Sequence, residues 1–390
     1  MDWERIRAEF PALARWTYLN TATIGQMPRR GEEAVAAHFA RRSGLAGTDF
    51  MDWFDDADRL RAAIARLVHG APEDVAFVPN ASTAFSLLLG GIDWQPGDRI
   101  VTLAGEFPNH YYYPSWLAQR GVEFVETEYA RLREAVTPRT RLAALSSVNY
   151  STGFRAPLEE IGALLRAHGA LLYVDATQSV GALEFDTARL RPDLLAVHGY
   201  KWLLSPTGAG FMYVSPSLRG RLAPGVMGWR SDRGWRDPER LRLGVPEFSD
   251  AAEKYEGGVL PFPALYALEA AVGMMLEIGP AAIERRVLEL AQGARAVLRR
   301  AGAILLSDEA PHHDSQIVCG RFPAGDASAI ARELKARHVL VAARQGNLRV
   351  SPHFYNNEAD LERLGETLRE LGFRARSSVQ IPSGSSPHAG

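Results

Sequence analysis

The stretch "VHGYKWLLSPTGAGF", Val197 to Phe211, sets a lysine between two large aromatic residues, with a glycine close by and a Pro-Thr-Gly turn soon after. Lys201 follows the short apolar run Leu194-Leu195-Ala196-Val197 and precedes another, Phe211-Met212-Tyr213-Val214. An ammonium in such a setting is expected to be partly buried, and a buried lysine needs a counter-charge or a chemical task.

Outward from this stretch, residues from about 70 to 215 alternate short β-rich runs with helical ones: "DVAFVP", "DRIVTL", "VEFVET", "RLAALSSV", "ALLYVD", "LLAVH", "AGFMYV". The alternation predicts an α/β fold, a mostly parallel seven-stranded sheet covered by helices on both faces. The clearest helix between strands runs from Pro157 to His168, with Pro at its start, Glu159 and Glu160 in its first turn and Gly169 after its end. After Pro263 two long helical stretches precede the strand-like "SQIVCGRF", a helix "ASAIARELKAR", strands "HVLVAA" and "NLRVS", and a last helix from Glu358 to about Leu371. This is a second, smaller C-terminal α/β unit.

Composition narrows the function classes. The chain has 390 residues, 46% apolar, enough for a large core and two domains. Its 44 basic and 46 acidic residues give a net charge of −2 with no dense basic run, which argues against a nucleic-acid or anionic-membrane surface. No stretch of about 18 apolar residues occurs and the N-terminus lacks a signal-peptide pattern, so a cytoplasmic location is expected. One cysteine, Cys319, excludes an internal disulfide and a cysteine-based zinc site, and its place in "QIVCG" reads as a small core residue. His312 and His313 lack a third ligand at suitable spacing, so no metal is expected.

In an open parallel sheet, ligands bind beyond the carboxyl ends of the strands. After "DVAFVP" comes "NASTAF", where a helix start and the Ser82 and Thr83 hydroxyls could hold a phosphate or merely cap the helix. After "DRIVTL" comes Phe107 with a tyrosine cluster, a stacking face or core. After "RLAALSSV" comes Asn149, which alone would be a turn residue. "ALLYVD" ends in Asp175, a carboxylate that needs a cation or donors to offset its desolvation. Lys201 follows the next strand, and a buried Asp175–Lys201 ion pair is the bland alternative to catalysis. Phosphate cradle, aromatic face, carboxylate and desolvated lysine on one sheet edge match the needs of pyridoxal 5′-phosphate: an amine for a Schiff base, an anion at the pyridine nitrogen, a stacking ring and a phosphate site.

With "VNYSTG", "YVDATQSVG" and "HGYKWLLSPTGAGFMYV" in order, the chain resembles the class V aminotransferase family of fold-type I pyridoxal-phosphate enzymes. The likeness is strongest to the isopenicillin N epimerase branch, with kynureninases and cysteine desulfurases as relatives, and extends from "YLNTATIGQMP" to "LRVSPHFYN". It implies that Lys201 carries the Schiff base, that Asp175 partners the pyridinium nitrogen and that Gln178 bonds the ring oxygen. Phe107 would stack on the ring, Ser82, Thr83 and His198 would hold the phosphate, and Asn149 and Tyr200 would line the cofactor. Arg349 would grip the α-carboxylate of an amino-acid substrate, with Asn20 beside it. It further implies a segment, 1–20, packing with the small domain, a large cofactor domain, 21–262, and a small domain, 263–375; the Ser-, Pro- and Gly-rich tail, 376–390, is expected to be disordered from its composition. A homodimer with shared active sites is implied as well.

Two departures stand out. "YEGGVLPFP" has Val259 where relatives carry a threonine that reaches the neighbouring subunit's phosphate, leaving only backbone N–H groups of Gly257 to Val259 for that task. "VAARQGNLRV" lacks the cysteine that desulfurases need before the carboxylate arginine, which disfavours persulfide chemistry. Transamination is the default expectation, with a kynureninase-like or carbon-sulfur lyase, or an epimerase, as alternatives on the same scaffold. A non-catalytic scaffold is the remaining reading.

Overall fold

A computed structural model describes residues 1–374; the tail 376–390 lies outside the described residues. Strand β1 is Thr17–Tyr18, and the large sheet contains β2 (Val75–Val78), β3 (Arg99–Leu103), β4 (Glu123–Thr127), β5 (Thr140–Ser146), β6 (Leu171–Asp175), β7 (Leu194–His198) and β8 (Gly210–Val214). Its order is β2-β8-β7-β6-β5-β3-β4. β8 runs antiparallel to both neighbours, while the β3–β4, β3–β5, β5–β6 and β6–β7 pairs are parallel. The seven predicted strands are therefore present as one mixed, mostly parallel sheet.

Strand alternation divides the core between the two faces. Phe77, Val101, Leu145, Val174 and Val197 pack in the cluster that includes the helices Asp52–Leu67, Leu158–Ala167 and Phe262–Ile278. Their neighbours Ala76, Ile100, Ala144, Tyr173 and Ala196 pack in a second cluster with the helix Ala81–Gly91. Apolar residues on both faces explain why these strands read as continuous hydrophobic runs.

The helices Phe262–Ile278 and Pro280–Arg300 meet at 85°. Gly279, at φ +93°, makes that corner, and Pro280 starts the second helix where no N–H partner is lost. Beyond them β9 (Ile304–Leu305), β10 (Val318–Arg321), β12 (Ala342–Arg344) and β13 (Asn347–Val350) form a four-stranded antiparallel sheet. β11 (Val339–Leu340) pairs instead with β1, and a further bridge joins Asn20 to Ser351. No single described helix is long and apolar enough to cross a membrane.

Parallel β2, β3, β5, β6 and β7 release Asn80, Glu106, Ser147, Asp175 and His198 at one sheet edge, each at or just beyond its strand's carboxyl end. The segment after β1 crosses to this edge. Gly25 donates its N–H to the Tyr200 carbonyl at 2.8 Å, and a Cβ at Gly25 would sit 1.9 Å from the Lys201 carbonyl oxygen. Only glycine permits that approach.

Candidate active site

Lys201 stands in a loop fixed from several sides. The Trp202 indole donates to Gln178 Oε1 at 2.7 Å, and His353 Nε2 lies 2.9 Å from the Trp202 carbonyl. Burial drives the His353 pKa down to about 3, so its ring is neutral and Nε2–H is the donor; Nδ1 accepts the Phe354 N–H. The Lys201 amine lies 5.9 Å from the Phe107 ring centre and 5.7 Å from that of Tyr200. Desolvation lowers its pKa to about 8, against the upward pull of Asp175 and with further lowering by Arg349 and Arg344.

Asp175 is buried at the end of β6 and accepts the Thr177 N–H at 2.9 Å. Among the described residues it makes no ion pair with Lys201 within 4.0 Å. The bland alternative raised by the sequence, a direct buried pair, is not what the fold contains. Amine and carboxylate feel each other's field across a gap.

On the other side, Asn80 caps the helix Ala81–Gly91 through the Thr83 N–H at 2.8 Å and also accepts the Thr83 hydroxyl. Ser82 is exposed at this helix start, where first-turn N–H groups other than that of Thr83 have no intrahelical partner, a setting that suits an anion. His198 Nδ1 is buried with no hydrogen-bond partner among the described residues, and desolvation lowers its pKa. A buried orphan nitrogen costs free energy unless a ligand meets it. Its ring meets that of Tyr200 edge-on at 5.2 Å.

Arg349, on β13, is almost wholly buried, donating to the Tyr150 carbonyl at 2.6 Å, Thr23 Oγ1 at 2.5 Å and Asn20 Oδ1 at 3.3 Å. Its Nε has no partner, and no carboxylate lies within 4.0 Å among the described residues. Burial, then the neighbouring Arg344 charge, lowers its pKa to about 10. A buried guanidinium supported only by neutral oxygens is a ready carboxylate site.

Two residues are committed in ways the sequence did not reveal. Gln178 uses Oε1 on Trp202 and one N–H on the Ala22 carbonyl, leaving a single N–H for any ligand. Asn149 accepts from Ser151 and Thr152 while donating to the Gly105 carbonyl, so it stitches two strand-end loops together and keeps one N–H spare. Sequence reasoning also passed over Glu106, whose buried carboxylate binds the Ser146 N–H at 2.7 Å with His110 Nδ1 at 3.2 Å, and the Thr23 hydroxyl beneath Arg349. The acid before Phe107 and the threonine in "NTATIG" were their only traces.

A family model for class-V aminotransferases matches residues 35–364. The chain belongs to the class-V aminotransferase family. It is 28% identical to an isopenicillin N epimerase of Streptomyces clavuligerus and 26% identical to a probable cysteine desulfurase of Methanothermobacter thermautotrophicus, each match spanning 95% of this chain and 98% of the other. A solved structure of the cystine C-S lyase C-DES with cysteine persulfide superposes with a TM-score of 0.83 at 24% identity, covering 92% of this chain and 98% of that one. The fold of this class-V member is that of the fold-type I enzymes, and it is a pyridoxal-phosphate-dependent enzyme. The orphan His198 nitrogen, the open helix start and the unpaired Arg349 fit that cofactor and an amino acid.

Proposed function

We propose that this enzyme transforms a free amino acid, with Lys201 as the Schiff-base lysine and as the carrier of the Cα proton. The observation that carries the reading is a desolvated amine and a buried carboxylate set at one sheet edge without pairing, near an arginine that meets no carboxylate among the described residues. Pyridoxal phosphate supplies an aldehyde for the amino group and an electron sink for charge at Cα. Asp175 is assigned to the pyridine nitrogen, where its negative charge favours the protonated ring. The N-terminus of Ala81–Gly91, with Ser82, Thr83 and His198, is assigned to the phosphate, and Phe107 to one ring face. Gln178, Asn149 and Tyr200 line the ring, the first two with one free N–H each. Arg349, steadied by Asn20 and Thr23, takes the α-carboxylate.

Transamination is the default reaction, which requires a keto-acid acceptor for repeated turnover. A kynureninase-like or carbon-sulfur lyase, suggested by "VNYSTG" and Phe107, is the second reading, and the β12–β13 hairpin bears on which kind of lyase fits. Only Gln345 and Gly346 join its strands, both at positive φ, so no loop remains there to carry a nucleophilic cysteine. Cys319 is buried against the Ser151 carbonyl, with burial pushing its thiol up to about 12. A persulfide carried on the protein is thereby disfavoured. Mass-spectrometric product analysis with and without an added keto acid separates the two readings: products that accumulate catalytically without an acceptor would sink the aminotransferase reading.

The carboxylate role of Arg349 has its own test. Arg349→Gln is expected to lower kcat/KM by about a hundredfold, from the loss of a charge-assisted bidentate contact. An unchanged kcat/KM, with the fold intact by circular dichroism, removes the assignment.

A homodimer is part of the same reading. Leu243 is 98% exposed, Val245 87%, Tyr112 74% and Val259 62%, apolar surface of the kind that a partner covers. Gly258 N–H bonds the Glu256 carbonyl, so Gly257 and Val259 are the N–H groups left in that segment to reach across. Light scattering is expected to give twice the chain mass, and Val245→Glu with Leu243→Glu to give monomer and weaker cofactor retention. A monomeric wild type would overturn the shared site.

A further inference from the structure

The β12–β13 hairpin places a second guanidinium beside Arg349. Arg349 stands opposite Ala342, and Arg344 stands opposite Asn347. Cross-strand partners share a face, as do alternate residues of one strand, so Arg344, Ala342 and Arg349 lie on the same side of the hairpin. The small Ala342 side chain leaves room between the two arginines. Both reach one hydroxyl: Thr23 Oγ1 lies 2.5 Å from Arg349 Nη2 and 3.5 Å from Arg344 Nη2. Thr23 belongs to the segment that lies over Lys201 through Gly25.

Neither guanidinium meets a carboxylate within 4.0 Å among the described residues. Arg344 is half-buried and, among the described residues, otherwise donates only to the adjacent Ala343 carbonyl. Other buried or half-buried guanidinia are mostly matched with acids: Arg61 and Arg230 with Glu256 and Arg286 with Glu358 among the buried ones, Arg7 with Asp360 and Arg219 with Asp74 among the half-buried. Arg295, bonded to the Ser315 carbonyl, is another exception. Two like charges held on one neutral hydroxyl repel each other, and Asp175 is the acid felt at Lys201. One substrate carboxylate would answer one of these charges and leave the other. A surface arginine extending into water would need no such answer, but Arg344 is turned inward onto Thr23.

We infer that the substrate is an amino acid with an acidic side chain, its α-carboxylate held by Arg349 and its second carboxylate by Arg344. The inference rests on the Arg349 assignment made above. It adds that a dicarboxylate fits this face of the hairpin better than a monocarboxylate, because each planar fork then receives its own planar anion. Arg344 is thus a specificity-determining residue.

Titration calorimetry of the holoenzyme with glutarate and with butyrate tests this; neither acid has an amine, so neither reacts. Glutarate is expected to bind at least about tenfold more tightly than butyrate, the scale of one charge-assisted contact. Arg344→Gln should shrink that ratio to within about twofold, and Arg344→Lys should retain part of it. Equal binding of the two acids by the wild type, or a preference that survives in Arg344→Gln, overturns the inference. If Arg349→Gln weakens both acids in that case, the Arg349 assignment stands without it. Heat from neither acid would overturn both.

Discussion

Lys201→Ala is expected to reduce turnover at least about a thousandfold, because one amine serves both as covalent anchor and as proton carrier. The fold should survive, since the loop around Lys201 is held by its neighbours: Trp202 on Gln178, His353 on the Trp202 carbonyl, Gly25 on Tyr200. The visible absorption of the wild-type holoenzyme, bleached by borohydride, should be missing from the variant. A colourless wild type that takes up no cofactor would end the enzyme reading. The pH dependence adds a sharper check. The neutral amine is the form that condenses with an aldehyde, and it becomes the majority form above the group's pKa. With that pKa lowered to about 8, cofactor uptake by the apoprotein should accelerate through pH 8 and then level off, well before the range of an ordinary lysine. Asp175 opposes the lowering, so Asp175→Asn should move the inflection to lower pH. An inflection that stays in the ordinary lysine range places the amine in water and removes it from the site.

Much of this site was legible because strand ends are local signals. Apolar runs stop where Asp175 and His198 begin, and the predicted strands of the large sheet agree with the observed ones to within about two residues, while "SQIVCGRF" shrinks to Val318–Arg321. The helix expected from Pro157 to His168 spans Leu158–Ala167, with Pro157 in the capping position. "HVLVAA", read as one strand, is two, because β11 pairs with β1 while β12 pairs with β13 and the chain changes partner between them. Periodicity registers an extended run and says nothing about which strand it joins. The helices Arg29–Leu45 and Asp52–Leu67 are structural elements beyond the predicted strand–helix alternation, which begins only near residue 70.

What stayed hidden shares one physical character. Arg349 on Thr23, Arg344 on Thr23 and Gln178 on Ala22 join residues far apart in the chain, and no short-range composition announces them. The residue types were visible but their partners were not. Arg344 is present in "VAARQGNLRV", but nothing in that local sequence distinguishes it from a surface arginine. Its meaning depends on the two-residue turn that folds it back beside Arg349, a feature of pairing register rather than of sequence motif.

Glu256→Ala is expected to destabilise the protein by about 3–5 kcal/mol, the cost of leaving buried charge uncompensated. The Glu256 side chain is fully buried between two guanidinia, with Oε1 2.7 Å from Arg61 Nη1 and Oε2 2.9 Å from Arg230 Nη1, and Oε1 also accepts the Phe77 N–H at 2.8 Å. Arg61 in turn binds the Val75 carbonyl at 2.6 Å, and Arg230 stacks over Phe54 and Trp235. The carboxylate therefore ties strand β2, the helix Asp52–Leu67 and the segment 228–259 together. Burial raises the Glu256 pKa, but the two arginines and the hydrogen bonds outweigh it and hold the group below the ordinary glutamate value. A carboxyl with a depressed folded-state pKa contributes stability that is present above its unfolded-state value and lost as pH falls through the folded one. Wild type should accordingly weaken on acidification, and Glu256→Ala should be weaker at neutral pH with a shallower acid dependence; urea midpoints at several pH values measure both. The same change should loosen cofactor retention, since Arg230 also holds Gly257 and Gly258 through their carbonyls, next to the exposed Val259. A midpoint shift equivalent to less than about 1 kcal/mol would reduce the triad to the rank of a surface ion pair. Loss of stability with unchanged cofactor retention would separate the triad from the active site and leave it a tie between layers of the fold.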